Sequence, residues 1–484
     1  MILSLQSLVW VGIITCGDEM KEKILERINQ APETEPERQY YFMELAKELV
    51  EEKKEAAGRK LTFAVVTFGC QMNARDSEKL EGILERVGYE KSEEEQADFV
   101  IYNTCTVREN ANLRVYGRLG NLNRIKKKNP HMMIGLCGCM MQEPHVVEKL
   151  KKSYRFVNLV FGTHNIYKFA ELLVQAIVQD SMVIDIWKDT DKIVENLPVD
   201  RKYSFKSGVN IMFGCNNFCS YCIIPFVRGK CRSKAKDKVI FEITELVRRG
   251  YKEIVLTGIH TGNYGSDIGT NFASLLKEIL TIPNLERVRI SSIEITELDE
   301  EFFELLKNPK ICNHLHIPLQ SGSDKVLKLM NRKYDTKMFL NKIKRIRAIR
   351  PDISLTTDVI VGFPMEEDDD FLDCLKFIRK VNFSKVHVFP YSMRNGTKAA
   401  GMRQVDGKIK KERVQELLEL SEDLERSYYE SFIGKTEKVL IEKVEEGIAY
   451  GHTSNYLYLK LVGDYKENEI YEIKISKKNF NLFC

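Results

Sequence analysis

The chain has no low-complexity segment, no apolar run long enough to cross a bilayer and almost no excess of charge. Its 74 Lys and Arg against 70 Asp and Glu leave a formal charge of +4, too small by itself to argue for nucleic acid. The apolar start, Met1 to Cys16, has no basic leader and is too short to span a membrane. It is expected to precede the true start, with Met20 the natural candidate, and residues 1–19 are set aside for the fold. Twelve cysteines without a secretion signal argue against a disulfide framework and predict reduced, metal-binding thiols in a cytoplasmic protein. What is present, 43% hydrophobic and 30% charged residues over 484 positions, predicts a globular chain of roughly two to four domains.

Cys215, Cys219 and Cys222 stand at C-x3-C-x2-C spacing directly after an apolar run at 209–213. Three thiolates can hold three irons of a cubane iron–sulfur cluster and leave the fourth iron open. A structural zinc wants four ligands, and no further Cys or His follows at finger spacing. Cys231, nine residues on, keeps a zinc site as an alternative. Upstream, short apolar runs at 61–68, 97–103 and 132–136 each precede a helical pattern, which predicts a parallel sheet. Each run leads to a cysteine: Cys70, Cys105 and Cys139, with Cys137 a near neighbour. The carboxyl ends of parallel strands line one crevice, so these three thiols are expected to converge.

The chain therefore divides into an N-terminal extension (1–58), a parallel α/β domain (59–170), an acidic linker (171–205), a partial (β/α) barrel (206–433) and a small β-patterned domain (434–484). The barrel rests on six strand candidates, at 209–213, 253–257, 288–292, 314–319, 354–361 and 385–389, and is closed by a helix at 410–429. Three basic clusters stand out: Arg124 to Lys128, Arg228 to Lys238, and Lys337 to Arg350. The second, beside the cysteine loop, is the one expected to meet phosphates; the third fits a solvated helix face equally well.

The stretch Cys215-Asn216-Asn217-Phe218-Cys219-Ser220-Tyr221-Cys222, with Ile-Ile-Pro-Phe-x-Arg-Gly behind it, resembles the radical S-adenosylmethionine (SAM) superfamily and, within it, the methylthiotransferases. Thr67-Phe68-Gly69-Cys70-Gln71-Met72-Asn73, Asn103-Thr104-Cys105-Thr106-Val107-Arg108-Glu109 and Gly138-Cys139-Met140-Met141-Gln142 resemble that family's auxiliary-cluster segments. The resemblance implies two [4Fe–4S] clusters, one on Cys215, Cys219 and Cys222 and one on Cys70, Cys105 and Cys139, all six catalytic. It also implies SAM contacts from Glu294, from His316, Gln320 and Ser321, and from Asp358 and Gly362, although turn and capping roles compete for several of these. Residues 451–456 resemble the TRAM domain, a small β-barrel that holds RNA.

The implied reaction inserts a methylthio group at C2 of a hypermodified adenosine at tRNA position 37. The implied partners are the tRNA anticodon stem-loop and an electron donor such as flavodoxin or ferredoxin, with no membrane and a monomeric enzyme. The N-terminal half resembles the MiaB branch, whose substrate is isopentenyladenosine. From about residue 250, with Leu256-Thr257-Gly258-Ile259-His260-Thr261-Gly262-Asn263-Tyr264-Gly265, the chain resembles the MtaB branch, whose substrate is threonylcarbamoyladenosine. The second substrate is slightly favoured because the barrel supplies most of the pocket. Its carboxylate would want a cation or amide donors, and His260 and Arg332 are candidate partners. A ribosomal aspartate as substrate, and a non-catalytic zinc-bound RNA-binding protein, are the alternatives.

Overall fold

Six strands in chain order, β1 (Thr62–Thr67), β2 (Glu90–Lys91), β3 (Phe99–Thr104), β4 (Met133–Gly138), β5 (Leu159–Phe161) and β6 (Val183–Asp185), build one parallel sheet in the order β2-β1-β3-β4-β5-β6. The computed structural model describes residues 17–106, 109–179 and 181–480, and of 109–113 the backbone alone. Residues 1–16 and the pair Val107 and Arg108 of the second cysteine segment lie outside it. By internal contacts the chain forms two units, one of Met1–Lys202 with Phe226–Gly229, the other of Tyr203–Pro225 with Lys230–Cys484.

In the first unit β3 and β4 are buried along their whole length, as apolar runs of this kind require when helices cover both faces. Two expectations fail here. Residues 171–205 are no linker: the helix Phe169–Val178 is buried nearly throughout, β6 extends the sheet, and Val194 and Leu197 sit in the core. The polar residues of that helix are only Glu171 and Gln175, and the acidic stretch that follows it hid it in the sequence. Nor are the described residues of the 1–58 extension peripheral. Helix Glu37–Ala57 places Phe42, Met43, Leu45, Ala46, Leu49 and Val50 in the same core as Phe63 and Phe169.

The second unit carries β7 (Lys206–Phe213), β8 (Arg232–Ser233), β9 (Glu253–Gly258), β10 (Arg287–Ile290), β11 (His314–His316), β12 (Ser354–Val361) and β13 (Lys385–Pro390). β7, β9 and β10 pair in parallel, as do β11, β12 and β13, and a parallel bridge from Val288 to Ile311 joins the two sets. The six predicted strands thus follow one another in space as in sequence, which makes the partial barrel. Helix Gly407–Glu430 covers the outer strand β13, where Ser421 Oγ accepts from Val386 N (3.0 Å) and donates to Val386 O (2.9 Å).

Beyond it, β14 (Thr436–Glu445), β15 (Ile448–Thr453), β16 (Tyr458–Val462) and β17 (Ile470–Lys474) form an antiparallel sheet in the order β16-β15-β14-β17. Arg287 donates to Lys438 O (2.6 Å) and His452 O (3.1 Å), tying this sheet to the barrel strand β10 within the same unit. Among the described residues no helix is long and apolar enough to cross a membrane.

Candidate active site

The loop after β7 carries the first thiol triad. Gly214 turns the chain with φ at +69°, a conformation open to glycine, and Cys215 follows at once. Cys215 Sγ accepts from Asn217 N (3.3 Å), and Cys222 N donates to Cys219 O (3.0 Å), so the backbone wraps the sulfurs. The loop is held from outside as well: Ser220 Oγ donates to Leu329 O (2.7 Å) and Asn331 Nδ2 to Phe218 O (2.8 Å). Burial, opposed in part by the Ile224 amide, pushes the Cys222 thiol up to about 12, and the neighbouring Cys219 and Cys215 push the same way. Three soft sulfurs on one short loop suit a cation-rich cluster that would neutralise their thiolates together. Cys219 Sγ also accepts from Arg332 Nη1 (3.3 Å), and Arg332 in turn pairs with Glu294 (3.0 Å).

The second triad is assembled by the sheet of the first unit. Register sets Thr67 beside Asn103 and Asn103 beside Cys137, so Cys70, Cys105 and Cys139 leave three adjacent strand ends at nearly one level. Cys105 and Cys139 are buried and Cys70 is exposed. Gly69, at φ +123°, lies so close that a Cβ there would stand 2.7 Å from Cys105 Cβ and 3.0 Å from its sulfur. Asn73 locks the ends together: its Nδ2 donates to Phe68 O (3.0 Å) and Thr104 O (2.9 Å). Burial raises the Cys139 thiol to about 11, with the Arg228 guanidinium pulling the other way. Cys137, the near neighbour, is fully buried in the apolar core and stays structural.

Known proteins place the chain. Residues 209–378 match the model of the radical SAM superfamily and residues 62–162 that of an uncharacterized protein family, UPF0004. A tRNA-2-methylthio-N(6)-dimethylallyladenosine synthase from Lachnoclostridium phytofermentans is 51% identical over 90% of this chain and 97% of its own. One of the same name from Acetivibrio thermocellus is 46% identical over 84% of this chain and 86% of its own. This chain belongs to the radical SAM methylthiotransferase family. A solved radical SAM methyltransferase, TsrM from Kitasatospora setae, is 14% identical, with a TM-score of 0.49 over 70% of this chain and 77% of that one.

A radical SAM methylthiotransferase uses SAM and a [4Fe–4S] cluster, and the residues expected around SAM fall into two sets. Glu294 reaches the cysteine loop through Arg332. His316 and Asp358 meet on adjacent strands at 3.4 Å, and Gln320, held at φ +66°, pairs through its backbone with Asp358 O and Ile360 N. Ser321 and Gly362 stand differently. Ser321 is buried, and its hydroxyl accepts from Ser323 N (3.2 Å). Gly362 forms a left-handed turn closed by Glu366 Oε1 (2.9 Å). Both are engaged as turn residues.

Sequence reasoning missed the arginines. Arg228, read as a phosphate contact, is buried in the first unit with Nε on Cys139 Sγ (3.2 Å), Nη1 on Asp76 (2.8 Å) and Nη2 on Asn73 Oδ1 (2.8 Å). Lys234 of the same basic cluster is buried too, paired with Glu242 at 2.5 Å. Runs of positive charge look alike in sequence whether they face solvent or a buried partner. In the third cluster Lys342, Arg347 and Arg350 donate to backbone carbonyls and Arg345 pairs with Glu300. His260 and Arg332, the cations offered for a substrate carboxylate, already have partners. Burial opposes a proton on His260, but hydrogen bonds to Cys215, Cys231 and Glu297 hold its pKa up to about 12. Glu297 stands 3.2 Å away.

Proposed function

We propose that this enzyme inserts a methylthio group at C2 of N6-dimethylallyl (isopentenyl) adenosine at position 37 of tRNA. The observation that carries the reading is the 51% identity, over 97% of its length, to a synthase named for that nucleoside. The lean toward threonylcarbamoyladenosine finds no support among these relatives. In the site, His260 pairs with Glu297 and Arg332 with Glu294 and the Cys219 sulfur, so each cation already has a partner of its own. An apolar dimethylallyl group needs no cation.

In this reading Cys215, Cys219 and Cys222 hold the SAM-binding cluster and Cys70, Cys105 and Cys139 a second one, each set leaving one iron without a protein ligand. Bound there, the clusters and SAM supply reductive carbon–sulfur cleavage and the sulfur to be transferred. The chain orients the groups: Asn217 N fixes Cys215, Arg332 fixes Cys219 and is itself steadied by Glu294. Glu294, His316, Gln320, Ser321, Asp358 and Gly362 are the proposed SAM contacts, and a flavodoxin or ferredoxin the proposed electron source.

For RNA, the C-terminal sheet offers one face. Tyr450 lies across from Lys443 and Lys460, and His452 across from Tyr458, so rings and ammonium groups share a side. Partly exposed Tyr450 and Tyr458 stack at 6.1 Å, a surface suited to bases and phosphates. Tyr456 is already sandwiched between His314 and His452.

The test is nucleoside mass spectrometry on tRNA after expression in a strain lacking its own enzyme. A methylthio mass on isopentenyladenosine is expected. The same gain on threonylcarbamoyladenosine alone, or on a ribosomal protein, would overturn the assignment.

A further inference from the structure

We propose that Arg228 is a positioning residue for the strand-end triad, tying Cys139 to Asn73 and Asp76 and raising the reduction potential of the cluster held there. The proposal rests on the reading that Cys70, Cys105 and Cys139 ligate a cluster.

A buried guanidinium needs one carboxylate to offset its charge, and Asp76 supplies it at 2.8 Å with both side chains almost fully enclosed. Neutralisation alone does not explain the other contacts. Nε is directed to the Cys139 sulfur at 3.2 Å, and Nη2 to Asn73 Oδ1 at 2.8 Å. The second contact fixes which way the Asn73 amide faces. With its oxygen on Arg228, its nitrogen must face Phe68 O and Thr104 O, the carbonyls that precede Gly69-Cys70 and Cys105. One side chain therefore touches Cys139 directly and reaches the backbone of the other two cysteines through one amide. A planar fork can serve three partners at once; an ammonium group cannot hold them in this geometry.

The electronic consequence follows from the sulfur contact. Reduction adds negative charge to a cluster, and a hydrogen bond to a ligating sulfur stabilises that charge, so the potential rises. Removing the donor should lower it.

The experiment uses the full chain carrying Cys215→Ala/Cys219→Ala/Cys222→Ala, so that only the strand-end triad can bind iron. After anaerobic reconstitution, iron and sulfide are counted and the midpoint is read by electron paramagnetic resonance in a redox titration. Arg228→Gln is expected to keep about four irons and to lower the reduced fraction at fixed poise about tenfold, which for a one-electron couple is ~59 mV. Arg228→Lys should move the midpoint the same way by less. Arg228→Met/Asp76→Asn removes both buried charges together and guards against unfolding by a bare Asp76; it should reproduce the shift. A midpoint unchanged in variants that retain their iron would overturn the proposal. A parent chain with Arg228 intact that binds no iron would instead remove the cluster reading on which it rests.

Discussion

The two thiol triads have the same composition and opposite construction. Cys215, Cys219 and Cys222 belong to one short loop, where covalent spacing alone keeps them together. Cys70, Cys105 and Cys139 come from three strand ends, and only the pairing of β1, β3 and β4 brings them to one level. Behind each stands the same device, an arginine against one sulfur with a carboxylate at its back: Arg332 with Cys219 and Glu294, Arg228 with Cys139 and Asp76. Neither arginine adjoins its triad in sequence within its own unit. The lesson is that a local motif carries its ligands, whereas their surroundings are tertiary in both cases.

The largest test of this comparison is reciprocal deletion. Cys215→Ala/Cys219→Ala/Cys222→Ala is expected to abolish reductive cleavage of SAM and to halve the iron of a reconstituted chain, from about eight to about four. Cys70→Ala/Cys105→Ala/Cys139→Ala should halve the iron equally yet still yield 5′-deoxyadenosine. If that second variant lost SAM cleavage as well, the division of labour between the triads would be wrong.

Acid should separate the two units next. Glu253 of β9 is buried, which disfavours its charge, but Arg289 at 2.7 Å, with Arg287 and Lys206 nearby, holds its pKa down to about 2 from an ordinary 4.5. That stability is present above about pH 4.5 and is lost as pH falls toward 2, on the order of 3 kcal/mol in all. In the first unit Glu78 goes the other way: burial raises its pKa despite Arg75 and Arg201, so its contribution improves on acidification. Hydrogen exchange at pH 5 and pH 3, corrected for intrinsic rates, should show β9 and β10 losing protection before β1 and β3. Glu253→Gln should flatten the difference.

The smallest effect probes the strand ends without removing a thiol. Gly69→Ala forces a side chain into a φ of +123° and against Cys105. We expect a cost of ~1–3 kcal/mol and loss of iron from the strand-end triad alone. Full iron in that variant would show that the ends can part without harm to the site.

Much of the site was readable from particular residues. The cysteine loop announced itself by spacing, and the three strand-end cysteines by their place after apolar runs. The second clue worked because a parallel sheet leaves all its carboxyl ends on one side. The misreadings share a cause. Helix Phe169–Val178 is short and runs into an acidic stretch, so residues 171–205 passed for a linker. Arg228 and Lys234 looked like surface charge because their partners Asp76 and Glu242 are reached only by folding.

Sequence by itself determined the class of chemistry, where the six cysteines stand relative to the strands and the order of the strands along the chain, because spacing and hydrophobic period act over a few residues. Tertiary structure alone decided which charges are buried, that Arg228 joins the strand-end thiols rather than solvent, and that His260 and Arg332 are already partnered. Those outcomes depend on burial and on distances between residues far apart in the chain, and a buried charge is tolerated only where the fold brings its counterpart within reach.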